Sequence, residues 1–124
     1  MKTSKDYLDE ANATVKRISA EEAVAAHGKP NAVFVDVRDS AAIAGSGTIA
    51  GAQRIPRGMI EFMSDDASPL HNEAMKKDAD VFVICAVGGQ AALAGKTLQD
   101  MGYQSVTNIG GFSDWKDAGG PTES

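Results

Sequence analysis

Val81-Phe82-Val83-Ile84-Cys85-Ala86-Val87-Gly88-Gly89-Gln90-Ala91 is the stretch that decides how this chain folds. Its first half is an unbroken apolar run, the pattern of a strand covered on both faces by helices. The second half passes through a Gly-Gly turn into the clearest amphipathic pattern of the sequence. There Ala91, Ala94, Leu98 and Met101 recur at helical spacing, and Gly102 supplies a C-terminal stop. Upstream, Ala32-Val33-Phe34-Val35 leads into Asp36-Val37-Arg38 as another buried strand, and Val106 with Ile109 marks one more between Gly102 and Gly110. Strands alternate with helices, so the expected class is α/β with a mainly parallel sheet.

Working outward, residues 3–14 are expected to form a short helix, with Tyr7, Leu8 and Ala11 at helical spacing. Ser19-Ala20-Glu21-Glu22 has the pattern of a capping box, which starts a helix from about Ala20 to His27 before Gly28 and Pro30 stop it. A short helix follows from Asp39 to Gly45, and the punctuated stretch from Gly45 to Pro56 reads as an irregular crossover. Gly58 to Met63 and Leu70 to Met75 are expected to be helical. Gly110-Gly111-Phe112 opens a last helix with Phe112 and Trp115 on one face, and Trp115 is read as core. The polar tail after Gly119 is expected to fray. With 124 residues, no internal repeat and no linker-like tract, the chain has room for one domain.

Composition excludes several functions. A net charge of -5 opposes binding to a phosphate backbone or an anionic lipid surface. Lys16 with Arg17, Arg54 with Arg57, and Lys76 with Lys77 are pairs too small to make a basic stripe. Nucleic acid and membrane are therefore not expected as partners. The longest apolar run, Val81 to Val87, falls far short of the ~20 residues that span a bilayer. Met1 to Asp6 leads into Tyr7-Leu8-Asp9-Glu10 and not into an apolar segment, so an export signal is not expected. The single cysteine precludes an intrachain disulfide, a zinc cluster or a Cys-x-x-Cys pair; this fits a reducing compartment, and a cytoplasmic location is expected. His27 and His71 stand without partners at ligand or triad spacing, so neither receives a catalytic assignment. The five methionines are read as core filling.

Cys85 ends its strand on the side where ligands of open α/β sheets bind. Gly88 and Gly89 reach backbone angles closed to other residues, which lets the turn curl with N–H groups inward. The helix that follows adds unpaired donors and the positive end of its dipole. Such a cradle stabilises an anion on sulfur, the nucleophilic form, and suits thiolate and persulfide alike. An isolated cysteine behind four strand residues is ordinarily an inert core residue. The order strand, cysteine, glycine turn, helix argues against that here. The reading requires amide hydrogens folded around an accessible sulfhydryl.

Four segments together resemble the rhodanese-like family. They are Phe34-Val35-Asp36-Val37-Arg38; Gly47-Thr48-Ile49-Ala50-Gly51-Ala52 with Ile55-Pro56-Arg57-Gly58; the loop from Cys85 to Gln90; and Gly110-Gly111-Phe112 with Trp115 and Gly119-Gly120-Pro121. The likeness runs from about Ile18 to Pro121. It implies a central, mainly parallel five-stranded sheet flanked by helices on both faces. The chain then divides into an N-terminal helical extension (1–14), the rhodanese domain (15–121) and a polar tail (122–124). The resemblance also implies a sulfurtransferase without a cofactor. Cys85 would take sulfur as a persulfide from a small anion such as thiosulfate and pass it to a thiol or cyanide acceptor, or to a sulfur-relay protein. Ala86, Val87, Gly88, Gly89 and Gln90 would form the active-site loop, with backbone amides of residues 86–90 as its donors.

One departure stands out. Similar proteins usually carry Arg five positions after the cysteine, where this chain has Gln90. Gln still donates a hydrogen bond, but a dianionic donor loses a charge-assisted partner. Arg54 and Arg57 are the candidates to restore that charge and bind substrate, and Glu61 is placed to pair with one of them. Asp36 and Arg38, two apart on a strand, share a face, and by resemblance they belong to a buried polar network near the loop. Two other readings compete. A cysteine-loop phosphatase or arsenate reductase needs Arg six positions after the cysteine, where Ala91 stands. A non-enzymatic sulfur-carrier or regulatory binding module agrees with Gln90, while the presence of Cys85 speaks for chemistry.

Overall fold

Thr3 and Ser19 start helices by the same device. Each hydroxyl accepts the amide three residues on, at Asp6 and Glu22, and the carboxylate there accepts the amide of the capping residue. The computed structural model describes all 124 residues. These caps open α1 (Ser4–Thr14) and, after the two-residue strand β1 (Lys16–Arg17), α2 (Ala20–Ala26). There follow β2 (Ala32–Asp36), α3 (Ser40–Ser46), β3 (Thr48–Ile49) and β4 (Gln53–Arg54). A 3-10 turn at Arg57–Met59 runs into α4 (Ile60–Met63). The remainder is β5 (Asp80–Cys85), α5 (Gly89–Asp100), β6 (Ser105–Gly111), α6 (Phe112–Asp117) and β7 (Thr122–Glu123).

Five strands make one sheet in the order β1-β6-β5-β2-β4, and every pairing in it is parallel. The sheet is buried on both faces, as its apolar central strands require. Alternation along β5 divides the core. Val81, Val83 and Cys85 pack with Ala91, Ala94 and Leu98 of α5, while Ile84 packs with Phe112 and Trp115 of α6 and with Ala23 and Ala26 of α2. The α/β fold expected from the sequence, with helices on both faces, is the fold observed. Cys85 thus projects toward α5, the helix that its own strand feeds.

Three expectations are corrected. Leu70 to Met75 is not helical, because side chains there bond the local backbone instead: Ser68 accepts the Leu70 amide, Asn72 accepts the Ala74 amide, and His71 Nε2 meets the Met75 carbonyl. The C-terminal tail does not fray. β7 pairs antiparallel with β3, the Pro121 carbonyl accepts the Trp115 indole N–H at 2.9 Å, and the Glu123 carboxylate accepts the Gly51 amide. The strand from Ala32 ends at Asp36, short of Arg38, because Arg38 bends back onto the Asp36 carboxylate. His27 meets the Ala50 carbonyl at 2.8 Å and packs its ring against Phe34 and Trp115, a structural position.

Tyr103 gives the fold a pH limit. It is 4% exposed, donates to the Ser64 carbonyl at 2.8 Å, and burial pushes its phenol up to about 12. An unfolded tyrosine ionises near about 10. This group therefore supports folding fully below pH ~10 and progressively less as the pH rises toward ~12. Tyr103→Phe is expected to lower stability by about 1 kcal/mol at neutral pH and to flatten the alkaline fall, read from urea unfolding across that range.

Candidate active site

β5 and β6 run in register as far as Val83 opposite Asn108, then slip, so that Cys85 faces Gly111. The slip falls where the chain leaves the sheet. Gly88 then takes φ of 105°, a conformation that side chains resist. This turns the loop back over the strand end, and the Gly88 N–H points at Cys85 Sγ from 3.0 Å. α5 begins at the next residue. The Ala91 N–H, in the open first turn of that helix, points at the same sulfur from 3.3 Å. Two N–H donors and the N-terminal end of a twelve-residue helix thus converge on the sulfur.

Two details differ from the sequence reading. The donors that reach the sulfur are Gly88 and Ala91, so the amides of Ala86, Val87, Gly89 and Gln90 serve the shape of the loop and not the sulfur directly. The sulfhydryl expected to be accessible is buried: Cys85 is 1% exposed and belongs to the core cluster with Val83, Ala91 and Ala94, while Ala86, Val87 and Gln90 of the loop are exposed. Gln90 makes no side-chain hydrogen bond within the protein and turns outward.

The loop has a support that the sequence reading missed. Asn108, fully buried on β6, donates from Nδ2 to the Gly88 carbonyl at 3.0 Å and accepts the Gly110 amide at 2.8 Å. Its side chain ties the turn beside Cys85 to the end of the neighbouring strand. An Asn at the centre of a strand, between the apolar residues Val106 and Ile109, was the available signal. Gly111 lies under the other limb of the loop, where a Cβ would run into the Ala86 carbonyl oxygen.

Asp36 and Arg38 form the expected buried pair. Arg38 Nη2 and Nε meet the Asp36 carboxylate at 2.7 and 3.1 Å, and Thr48 Oγ1 donates to it at 2.7 Å. The rest of the Arg38 guanidinium is taken by Ser46 Oγ and the Gly47 carbonyl, and its carbon stands 4.7 Å from the centre of the Phe112 ring. Arg38 also lines a groove of about 270 Å³ together with Ala86, Ser46, Ser113 and Lys116, which brings the pair to the flank of the sulfur loop.

Arg54 and Arg57 are each engaged away from the loop. Arg57 pairs with Glu61 at 3.1 Å and donates to Thr97 Oγ1, partway down α5. Arg54 is drawn to Glu123 and the Ser124 carbonyl by the C-terminal strand. Neither hydrogen-bonds any residue of the loop from 85 to 90. No group of three His, Cys, Asp or Glu side chains converges as a metal site would require, and no helix is long and apolar enough to cross a membrane.

Comparison with known proteins bears on the family and the fold. The chain is 32% identical over 102 residues to the thiosulfate sulfurtransferase GlpE of Pseudomonas putida, covering 82% of this chain and 84% of that one. Its fold matches a protein of unknown function from Rhodopseudomonas palustris, described as a "possible tyrosine phosphatase", with a TM-score of 0.93 and 41% identity over 99% of this chain and 96% of that one. It also matches the polysulfide-sulfur transferase homodimer of Wolinella succinogenes, with a TM-score of 0.76 and 27% identity over 96% and 85% of the two chains. The model of the rhodanese-like domain matches residues 19–118. With that match spanning most of its length, the chain belongs to the rhodanese-like domain family.

Proposed function

We propose that the protein is a sulfurtransferase that carries sulfur as a persulfide on Cys85. The observation that carries this reading is the pair of N–H groups, from Gly88 and Ala91, aimed at the only sulfhydryl of the chain. In the first step the thiolate attacks the outer sulfur of thiosulfate. The new bond is Cys85 S–S, the bond to the sulfonate sulfur breaks, and sulfite leaves with the electron pair. In the second step a thiolate or cyanide attacks the outer sulfur of the persulfide and returns Cys85 as thiolate. Charge balances in both steps. The chain has no second cysteine, so the acceptor comes from outside, either a small thiol, cyanide or a sulfur-relay protein.

A phosphatase reading has the description of the Rhodopseudomonas relative in its favour. Against it, position 91 is Ala, and the amide there is already directed at the sulfur, so the loop offers no guanidinium to a tetrahedral anion. Turnover of a phosphate ester would favour that reading.

Incubation with thiosulfate or a polysulfide is expected to raise the intact mass by one sulfur atom. Dithiothreitol should reverse the gain and Cys85→Ser should abolish it; a protein that gains no sulfur from any donor would be a binding module. Gln90→Arg is expected to raise kcat/KM for thiosulfate by about tenfold, the worth of one charge-assisted contact of ~1.4 kcal/mol, and an unchanged value would show that the loop does not need a cation there. Asn108→Ala, which unties both Gly88 and Gly110, is expected to slow persulfide formation by about tenfold and to lower stability by about 1–3 kcal/mol. Asn108→Asp should not rescue the rate, because it lacks the donor to Gly88.

A further inference from the structure

Gly88 and Gly110 leave room for the same group. A Cβ on Gly88 would stand 2.5 Å from Nη1 of Arg17, and a Cβ on Gly110 would stand 2.7 Å from its Nη2. The guanidinium thus lies against the sulfur loop on one side and the end of β6 on the other. Strand register explains its position: Arg17 is paired with Asn108, the residue that holds the Gly88 carbonyl. Through Gly88, whose amide is 3.0 Å from the sulfur, the covalent path keeps Arg17 Nη1 within about 9 Å of Cys85 Sγ.

The charge of this guanidinium is free. Arg38, Arg54 and Arg57 each pair with a carboxylate, and Arg17, the remaining arginine of four, pairs with none. Glu21, Asp114 and Asp117 share with it the lining of a groove of about 520 Å³, but none lies within ion-pair distance. Its N–H groups donate to no acceptor of the protein. An unpaired cation at this range acts on the reacting sulfur through its field, and contact is not needed.

We propose that Arg17 is a specificity-determining residue, the cation that biases the Cys85 loop toward anionic sulfur donors in place of the arginine absent at position 90. The proposal rests on the sulfur-transfer reading above. Arg17 lies before the residues matched by the family model, on β1, which Val15 alone separates from α1. The edge strand of the sheet, just after the N-terminal helix, therefore supplies part of the electrostatics of the site.

The test compares alkylation of Cys85 by iodoacetate and by iodoacetamide, which differ in charge and hardly in shape, so that their rate ratio reads local potential and not access. Arg17→Gln is expected to lower the iodoacetate to iodoacetamide ratio by about three- to fivefold, the effect of one unit charge at this distance in a partly solvated site. Arg17→Lys should retain most of the ratio, and Lys16→Gln, one residue away on the same strand, should leave it unchanged. A ratio unmoved by Arg17→Gln, or moved equally by Lys16→Gln, overturns the proposal, and so does a wild-type sulfhydryl inert to both reagents. Thiosulfate turnover should fall in parallel in Arg17→Gln. If the ratio moves and no donor forms a persulfide, the sulfur-transfer reading fails alone; if a persulfide forms and the ratio does not move, only the role of Arg17 fails.

Discussion

The site depends on one convergence: two main-chain N–H groups close on a sulfur held at the end of a buried strand. Neither donor is a side chain, so what matters is the path of the backbone. β5 must end at Cys85, the loop must reverse at Gly88, and α5 must begin at once, leaving the Ala91 amide without a partner inside its own helix. A change in any of these moves a donor off the sulfur. The slip between β5 and β6, the Asn108 side chain and the absence of a side chain at Gly111 all serve that path.

Beside the loop, the Asp36–Arg38 pair holds the crossover segment in place. A buried ion pair is at best weakly stabilising overall, but removing one partner leaves an uncompensated charge at a cost of about 3–5 kcal/mol. Here the cost of burying both charges is offset by complete pairing: Asp36 accepts from Arg38 and Thr48, and Arg38 in turn donates to Ser46 and Gly47. The pair thus fastens the end of β2 to the residues that link α3 to β3. It also sets a guanidinium beside Ala86 with its charge already neutralised.

The sequence showed the fold through its strongest regularities. The apolar run at 81–85, the helical spacing from Ala91 to Met101 and the capping box at Ser19 each state a local preference that packing reinforces. Leu70 to Met75 misled because its apolar residues have helical spacing, while Ser68 and Asn72 offer the backbone other bonds, a competition that periodicity does not register. The tail misled because its partner, β3, is more than seventy residues away and only two residues long. At the site, Cys85 and its loop were legible as a contiguous motif. Asn108 and Arg17 were not, since their link to the loop comes from strand order and register, which place β6 beside β5 and β1 beside β6.

The pairing of β2 with β5 joins Ala32 to Asp80 and Asp36 to Ile84. Parallel contacts between such distant parts of a chain form late, because closure entropy must be met before they contribute. Until they form, and β6 arrives with Asn108, the Gly88 turn lacks the side-chain donor that holds its carbonyl. The geometry around Cys85 is therefore coupled to completion of folding: a partly folded copy lacks the strand register that sets Asn108 beside the loop.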